Sequence, residues 1–138
     1  MPDPLRVTCA LIEEPSRVLL AQRAAGMALA GKWEFPGGKI DGAESPADCL
    51  QREIREELGC EIEVGAALTP VDHTYAGGRT LLLLPFRCRV VAGQPQALEH
   101  AAIAWVRPEE LAGYDLAEAD QPVVREYLAL RAGEGSEP

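Results

Sequence analysis

Apolar residues recur at three- and four-residue spacing through Ala47, Leu50, Ile54 and Leu58, and this period predicts a helix over Pro46–Leu58. The chemistry at its ends agrees. Ser45 suits the N-cap, Pro46 the first helical position, and Asp48 the first turn, near the positive end of the helix dipole. Gly59 suits the left-handed position that stops a helix. Elsewhere the pattern alternates. Val7–Glu13 and Arg17–Arg23 read as strands joined by a Glu-Pro-Ser turn. After a loop over Ala24–Lys32, Trp33–Phe35 reads as a short aromatic strand, followed by a turn at Pro36-Gly37-Gly38. Cys60–Thr69 is a further strand, and Val71–Tyr75 with Arg79–Val91 predicts a hairpin around Gly77-Gly78. Ala102–Val106 is another strand and Pro108–Leu111 starts a short helix. A second amphipathic helix is expected over Pro122–Arg131, with Asp120 as its N-cap. The class is α/β (α+β), a mixed sheet with two main helices, in one domain over residues 1–132 with a disordered tail from Gly133 to Pro138.

Composition narrows the reading. A chain of 138 residues, 47% hydrophobic and 25% charged, can build one core. Its longest apolar run, Leu81–Phe86, is too short to cross a membrane, and its first residues lack the apolar stretch of a secretion signal, so the expected address is cytoplasmic. Cys9, Cys49, Cys60 and Cys88 have no C-x-x-C spacing and read as reduced, buried small hydrophobes. A net charge of −9 excludes a duplex nucleic-acid binder, which needs a basic face. It suits a phosphate binder only where cations neutralise the acids.

The acids themselves supply that chemistry. At about 100° per residue, Glu53, Glu56 and Glu57 cluster beside the apolar stripe, along the seam between core and solvent. Like charges at these spacings repel by a few tenths of a kcal/mol per pair. Hard carboxylate oxygens select Mg²⁺, Mn²⁺ or Ca²⁺, and a bound cation would turn the repulsion into coordination. A solvated acidic face is the ordinary reading of a glutamate triplet. This one also has an upstream Gly-Gly loop, a separate Glu44 and interleaved Arg52 and Arg55.

The segment GKIDGAESPADCLQREIREELGC resembles the signature of the Nudix hydrolases at every charged and glycine position: Gly38, Glu44, Arg52, Glu53, Glu56, Glu57 and Gly59. The departure is Cys60, where the family has an aliphatic residue. AQRAAGMALAGKWEFPGGKI, EHAAIAWVRPEEL and LAEADQPVV resemble the MutT branch, which cleanses nucleotide pools. The resemblance implies an α/β/α sandwich and hydrolysis of a nucleoside triphosphate to monophosphate and pyrophosphate, with Mg²⁺ or Mn²⁺ as cofactor. It implies metal ligands at the Gly37 carbonyl, Glu53, Glu56 and Glu57, with Glu99 as an additional one, six residues before Trp105. Glu53 is the expected proton acceptor, oriented by Arg52, with Glu99 the runner-up and Glu44 supporting the water shell.

For the nucleotide, Arg23 and Lys39 are expected to meet phosphate or base, and Phe35, Tyr75 and Arg79 to stack on the base or meet its edge. Asp120 stands where the MutT branch has a base-reading amide; a carboxylate there can accept from the exocyclic amine of cytosine or guanine. The favoured substrate is 8-oxo-dGTP, and the rival is CTP, dCTP or a 5-methylated cytosine nucleotide. A diadenosine polyphosphate is a third, since Tyr75 lies fifteen residues after Cys60. A binding module without activity would have lost signature glutamates, and none is lost. The partner is the small nucleotide alone, with no duplex and no membrane, for a monomer or homodimer.

Overall fold

The computed structural model describes residues 4–135. In chain order it runs β1 (Leu5–Glu14), β2 (Arg17–Gln22), β3 (Trp33–Glu34), β4 (Gly37–Lys39), α1 (Pro46–Leu58), β5 (Glu61–Ala67), β6 (Val71–Thr74), β7 (Thr80–Ala92), β8 (Ala102–Val106) and α2 (Gln121–Gly135), with 3₁₀ turns at Pro108–Gly113 and Glu118–Asp120 before α2. β1 is the central seam. It lies parallel to β7, from Leu5 opposite Leu81 to Ile12 opposite Cys88, and antiparallel to β2 and β4 on its other edge. β5 and β6 pair with successive halves of β7, and β8 pairs with β2.

Alternation along β1 divides the core in two. Cys9 and Leu11 join Leu81, Leu83, Val123, Val124 and Tyr127 on the α2 side, while Ala10 and Ile12 join Leu50, Ile54, Leu58 and Cys88 on the α1 side. The result is the expected sandwich of helix, mixed sheet and helix. A strand buried on both faces explains the near-continuous apolar run of β1. At the far end, Glu13 accepts from Arg87 Nε and Nη2 at 2.9 and 2.8 Å within the sheet and from the Tyr127 hydroxyl of α2 at 2.8 Å, so this pair also holds α2. Among the described residues no helix is long and apolar enough to cross a membrane.

Three expectations need correction. Gly37-Gly38 forms a strand rather than a turn, paired with β1 through Thr8 and Cys9. The second helix continues past Arg131 through Gly133 to Gly135, where a tail was expected; residues 136–138 lie outside the described residues. Glu134 in that last turn is held by Arg87 at 2.6 Å. Asp120 does not cap α2: it closes a 3₁₀ turn, and its carboxylate accepts from Phe35 N instead.

Candidate active site

α1 is built as its sequence dictates. Ser45 Oγ accepts from Asp48 N at 3.1 Å, Pro46 opens the helix, and Gly59 closes it with φ 71°. The acids on it fare differently. Glu53 is half-buried and Glu56 exposed, but Glu57 is 8% exposed. It lies seven residues after Leu50 and three after Ile54, so it belongs to the buried stripe itself. Burial first, then the adjoining Glu53 carboxylate and the charges of Glu53, Glu34 and Glu99, push Glu57 up to about 9. Its Oε1 is buried without a hydrogen-bond partner.

Arg52 gathers the other acids. Nε and Nη2 donate to Glu44 at 2.7 and 2.9 Å, Nη1 to Glu53 Oε2 at 2.8 Å and to Glu56 Oε1 at 3.2 Å, and Nη2 also reaches the Lys39 carbonyl at 3.2 Å. The guanidinium beside Glu44 holds its carboxyl down at about 2. Among the described residues no three acidic, histidine or cysteine side chains are gathered closely enough to hold a metal as they stand. Glu53 and Glu56 are both engaged by Arg52 Nη1. The donor set nevertheless suits a hard cation: carboxylates, one of them buried with an orphaned oxygen, beside a strand of glycines. Glu99 is exposed, on a segment whose Leu98 N donates to the Glu57 carbonyl at 3.2 Å.

β4 separates these acids from a cavity of about 410 Å³. Thr8 pairs with Gly38, and Ala10 N and Ile40 N donate to the Pro36 and Arg6 carbonyls. Carbonyls alternate along a strand, so that of Gly37 is turned away from β1, as is that of Lys39, which Arg52 reaches. A side chain at either glycine would collide: at Gly38 with the carboxylate of Glu53, at Gly37 with the backbone of Thr8 and Cys9. Gly38→Ala is therefore expected to keep the fold, because Glu53 can swing aside, yet to lower turnover by about tenfold or more. Gly37→Ala should instead cost roughly 1–3 kcal/mol of stability, because a sheet ladder cannot yield. Melting temperature and turnover measured on both variants check this, and a reversed pattern would sink it.

All six residues expected to meet the nucleotide line the cavity: Arg23, Phe35, Lys39, Tyr75, Arg79 and Asp120. Phe35 is also core, 3% exposed, and Tyr75 packs edge-on against His73 at 4.5 Å. Arg23 is not free: it donates to Glu34 Oε1 at 2.8 Å and to the Ala28 carbonyl. Asp120 is 6% exposed and accepts on Oδ2 from Phe35 N at 2.8 Å. Burial, opposed by that hydrogen bond and by Arg23, lifts it to about 7. Sequence reasoning missed Glu34 and left His100 open, although His100 Nε2 donates to Glu34 Oε2 at 3.0 Å. No spacing rule joins residues this far apart in the chain.

The NUDIX domain family matches residues 2–127. The CTP pyrophosphohydrolase of Escherichia coli (strain K12) is 42% identical over 128 residues, 93% of this chain and 94% of its own. The putative 8-oxo-dGTP diphosphatase 2 of Mycobacterium tuberculosis (strain CDC 1551 / Oshkosh) is 39% identical over 104 residues, covering 75% of this chain and 74% of that one. Among solved structures, a MutT NUDIX hydrolase from Burkholderia pseudomallei superposes with a TM-score of 0.82 at 30% identity, over 91% of this chain and 98% of that one.

Proposed function

This chain belongs to the NUDIX family, and from that premise we propose that it is a metal-dependent nucleoside triphosphate pyrophosphohydrolase whose cavity takes a cytosine nucleotide, releasing the monophosphate and pyrophosphate. The observation that carries the base is Asp120. The Phe35 N–H is already engaged on Oδ2, which leaves Oδ1 to meet a base, as an acceptor in the ionised form that prevails above about pH 7. Cytosine presents an amine to such a group and thymine does not. The relative at 42% identity bears the name CTP pyrophosphohydrolase, which supports the same choice. Hydrolysis of 8-oxo-dGTP is the second reading, favoured by the name of the mycobacterial relative and by the amine that guanine also carries.

Glu53, Glu56, Glu57 and the Gly37 carbonyl, with Glu99 beside them, are the groups to hold Mg²⁺ or Mn²⁺. Such an ion, when bound, neutralises phosphate charge and acidifies water. The chain does the rest. Glu53 takes the proton of the water that attacks the internal phosphorus, and Arg52 fixes its carboxylate from 2.8 Å. Glu44 in turn fixes Arg52 and keeps it charged. Lys39 and Arg79, both exposed at the cavity, offset phosphate charge, and Phe35 and Tyr75 wall the base. Pyrophosphate release from CTP, dCTP, 5-methyl-dCTP, 8-oxo-dGTP and dTTP tests the reading. The highest kcat/KM is expected with a cytosine nucleotide; a tenfold preference for 8-oxo-dGTP would establish the second reading, and no release from any would end both.

Asp120→Ala is expected to lower kcat/KM by about 10²-fold for the preferred nucleotide and much less for dTTP, since a site built around a hydrogen bond rejects analogues that lack it. An equal fall across all bases would remove Asp120 from base reading. Asp120 also makes stability depend on pH. Its carboxyl is raised from an ordinary 3.8 to about 7 in the fold, so its contribution is full below about pH 4 and is lost as pH rises through 7. Asp120→Asn should flatten the fall in melting temperature between pH 5 and 8; an unchanged slope would show that another group titrates.

A further inference from the structure

One wall of the cavity is held by a chain of side chains that no motif joins. Each oxygen of Glu34 accepts from its own donor, Arg23 Nη1 on Oε1 at 2.8 Å and His100 Nε2 on Oε2 at 3.0 Å. The His100 side chain is 2% exposed, and its Nδ1 is buried without a partner. Burying an imidazole with one nitrogen unsatisfied is unfavourable, which gives weight to the one bond it makes. Its segment is tied on both sides: Leu98 N donates to the Glu57 carbonyl at 3.2 Å and Ala101 N to the Gln22 carbonyl at 2.9 Å. Arg23 in turn carries the loop that follows it. Its Nε donates to the Ala28 carbonyl, its backbone N to the Lys32 carbonyl at 2.9 Å, and its own carbonyl accepts from Gly31 N at 2.9 Å. Ala28 and Leu29 of that loop line the cavity, and Leu29 is held there at φ 57°.

We infer that His100 is a positioning residue for the nucleotide pocket: by holding Glu34 it fixes Arg23, and through Arg23 it sets the loop that forms one side of the cavity. His100 does not line the cavity. With the imidazole gone, Glu34 would keep a single partner and be free to turn toward solvent, being already 18% exposed. Arg23 would then lose the acceptor that aims it. The inference rests on the reading of this cavity as the nucleotide site.

Two substitutions separate the bond from the bulk. His100→Phe keeps the ring volume and removes the donor. His100→Gln places an amide nitrogen three bonds from Cβ, as Nε2 is. On whichever of CTP, dCTP and 8-oxo-dGTP the wild type hydrolyses fastest, His100→Phe is expected to raise KM roughly tenfold while kcat stays within about threefold, and His100→Gln to return KM to within about threefold of wild type. Without nucleotide, trypsin should cut after Arg23 or Lys32 faster in the Phe variant than in wild type or the Gln variant. Should His100→Phe fail to fold, His100→Asn, too short to reach Glu34, takes its place. Wild-type KM in the donor-less variant, equal impairment in both variants at unchanged melting temperature, or a fall in kcat alone overturns the inference. If the wild type hydrolyses none of the three nucleotides, the substrate reading falls, and the trypsin comparison still decides the role of His100.

Discussion

In excess EDTA, pyrophosphate release is expected to drop to background and to return when Mg²⁺ or Mn²⁺ is restored. The protein carries a net charge of −9, and Glu53, Glu34 and Glu99 are each close enough to act on Glu57. A polyphosphate brought to that face meets repulsion that Lys39, Arg79 and an already engaged Arg52 do not offset. The buried, unpartnered Oε1 of Glu57 supplies a second readout that needs no turnover. A ligand that binds only the folded state raises its stability by mass action, so Mg²⁺ at a hundredfold excess over its dissociation constant should add about 2.7 kcal/mol. The rise in melting temperature should be much smaller in Glu57→Gln, which presents a neutral amide to the cation. Full hydrolysis in EDTA would end the metal-dependent reading. Equal thermal stabilisation of wild type and Glu57→Gln would place the cation elsewhere.

Glu53→Gln is expected to lower kcat by about 10²–10⁴-fold, the range for a lost general base, and more if metal is lost with it. The fold should survive. Glu53 is only half-buried, and its Oε2 makes a hydrogen bond with Arg52 that an amide oxygen can still accept. Arg52 would also remain anchored by Glu44. The change therefore removes a proton acceptor with little disturbance of the scaffold, unlike Gly38→Ala, which displaces the same carboxylate without altering its chemistry. Circular dichroism and melting temperature near wild type, with kcat down by this factor, are the expected pair of results. Near-normal turnover in Glu53→Gln would move the base, and Glu99→Gln is then the variant to measure.

What the amino-acid sequence determined by itself is what depends on neighbours along the chain. The limits of α1 follow from Ser45, Pro46 and Gly59, and the apolar stripe from spacing. So do seven of the eight strands of the sheet, to within a residue or two, because alternation is also a local property. Among the candidate residues around the cavity, Arg23 and Asp120 were singled out through resemblance, Lys39 by its place beside the glycines and Phe35, Tyr75 and Arg79 by residue type; all six line one cavity. Tertiary structure alone decided how they are engaged. Gly37-Gly38 reads as a turn until Thr8 and Cys9 are beside it and offer a ladder. Asp120 reads as a helix cap until Phe35 N, 85 residues earlier, supplies a buried donor. Arg23 reads as a guanidinium open to phosphate or base until Glu34 and Ala28 hold it, and His100, 66 residues after Glu34, completes the chain. Glu57 reads as a seam residue, yet the packing of α1 against the sheet takes it out of water and leaves one oxygen unpaired. A polar side chain takes the partner that removes the greatest desolvation cost, and that partner is set by which distant segments the sheet brings together.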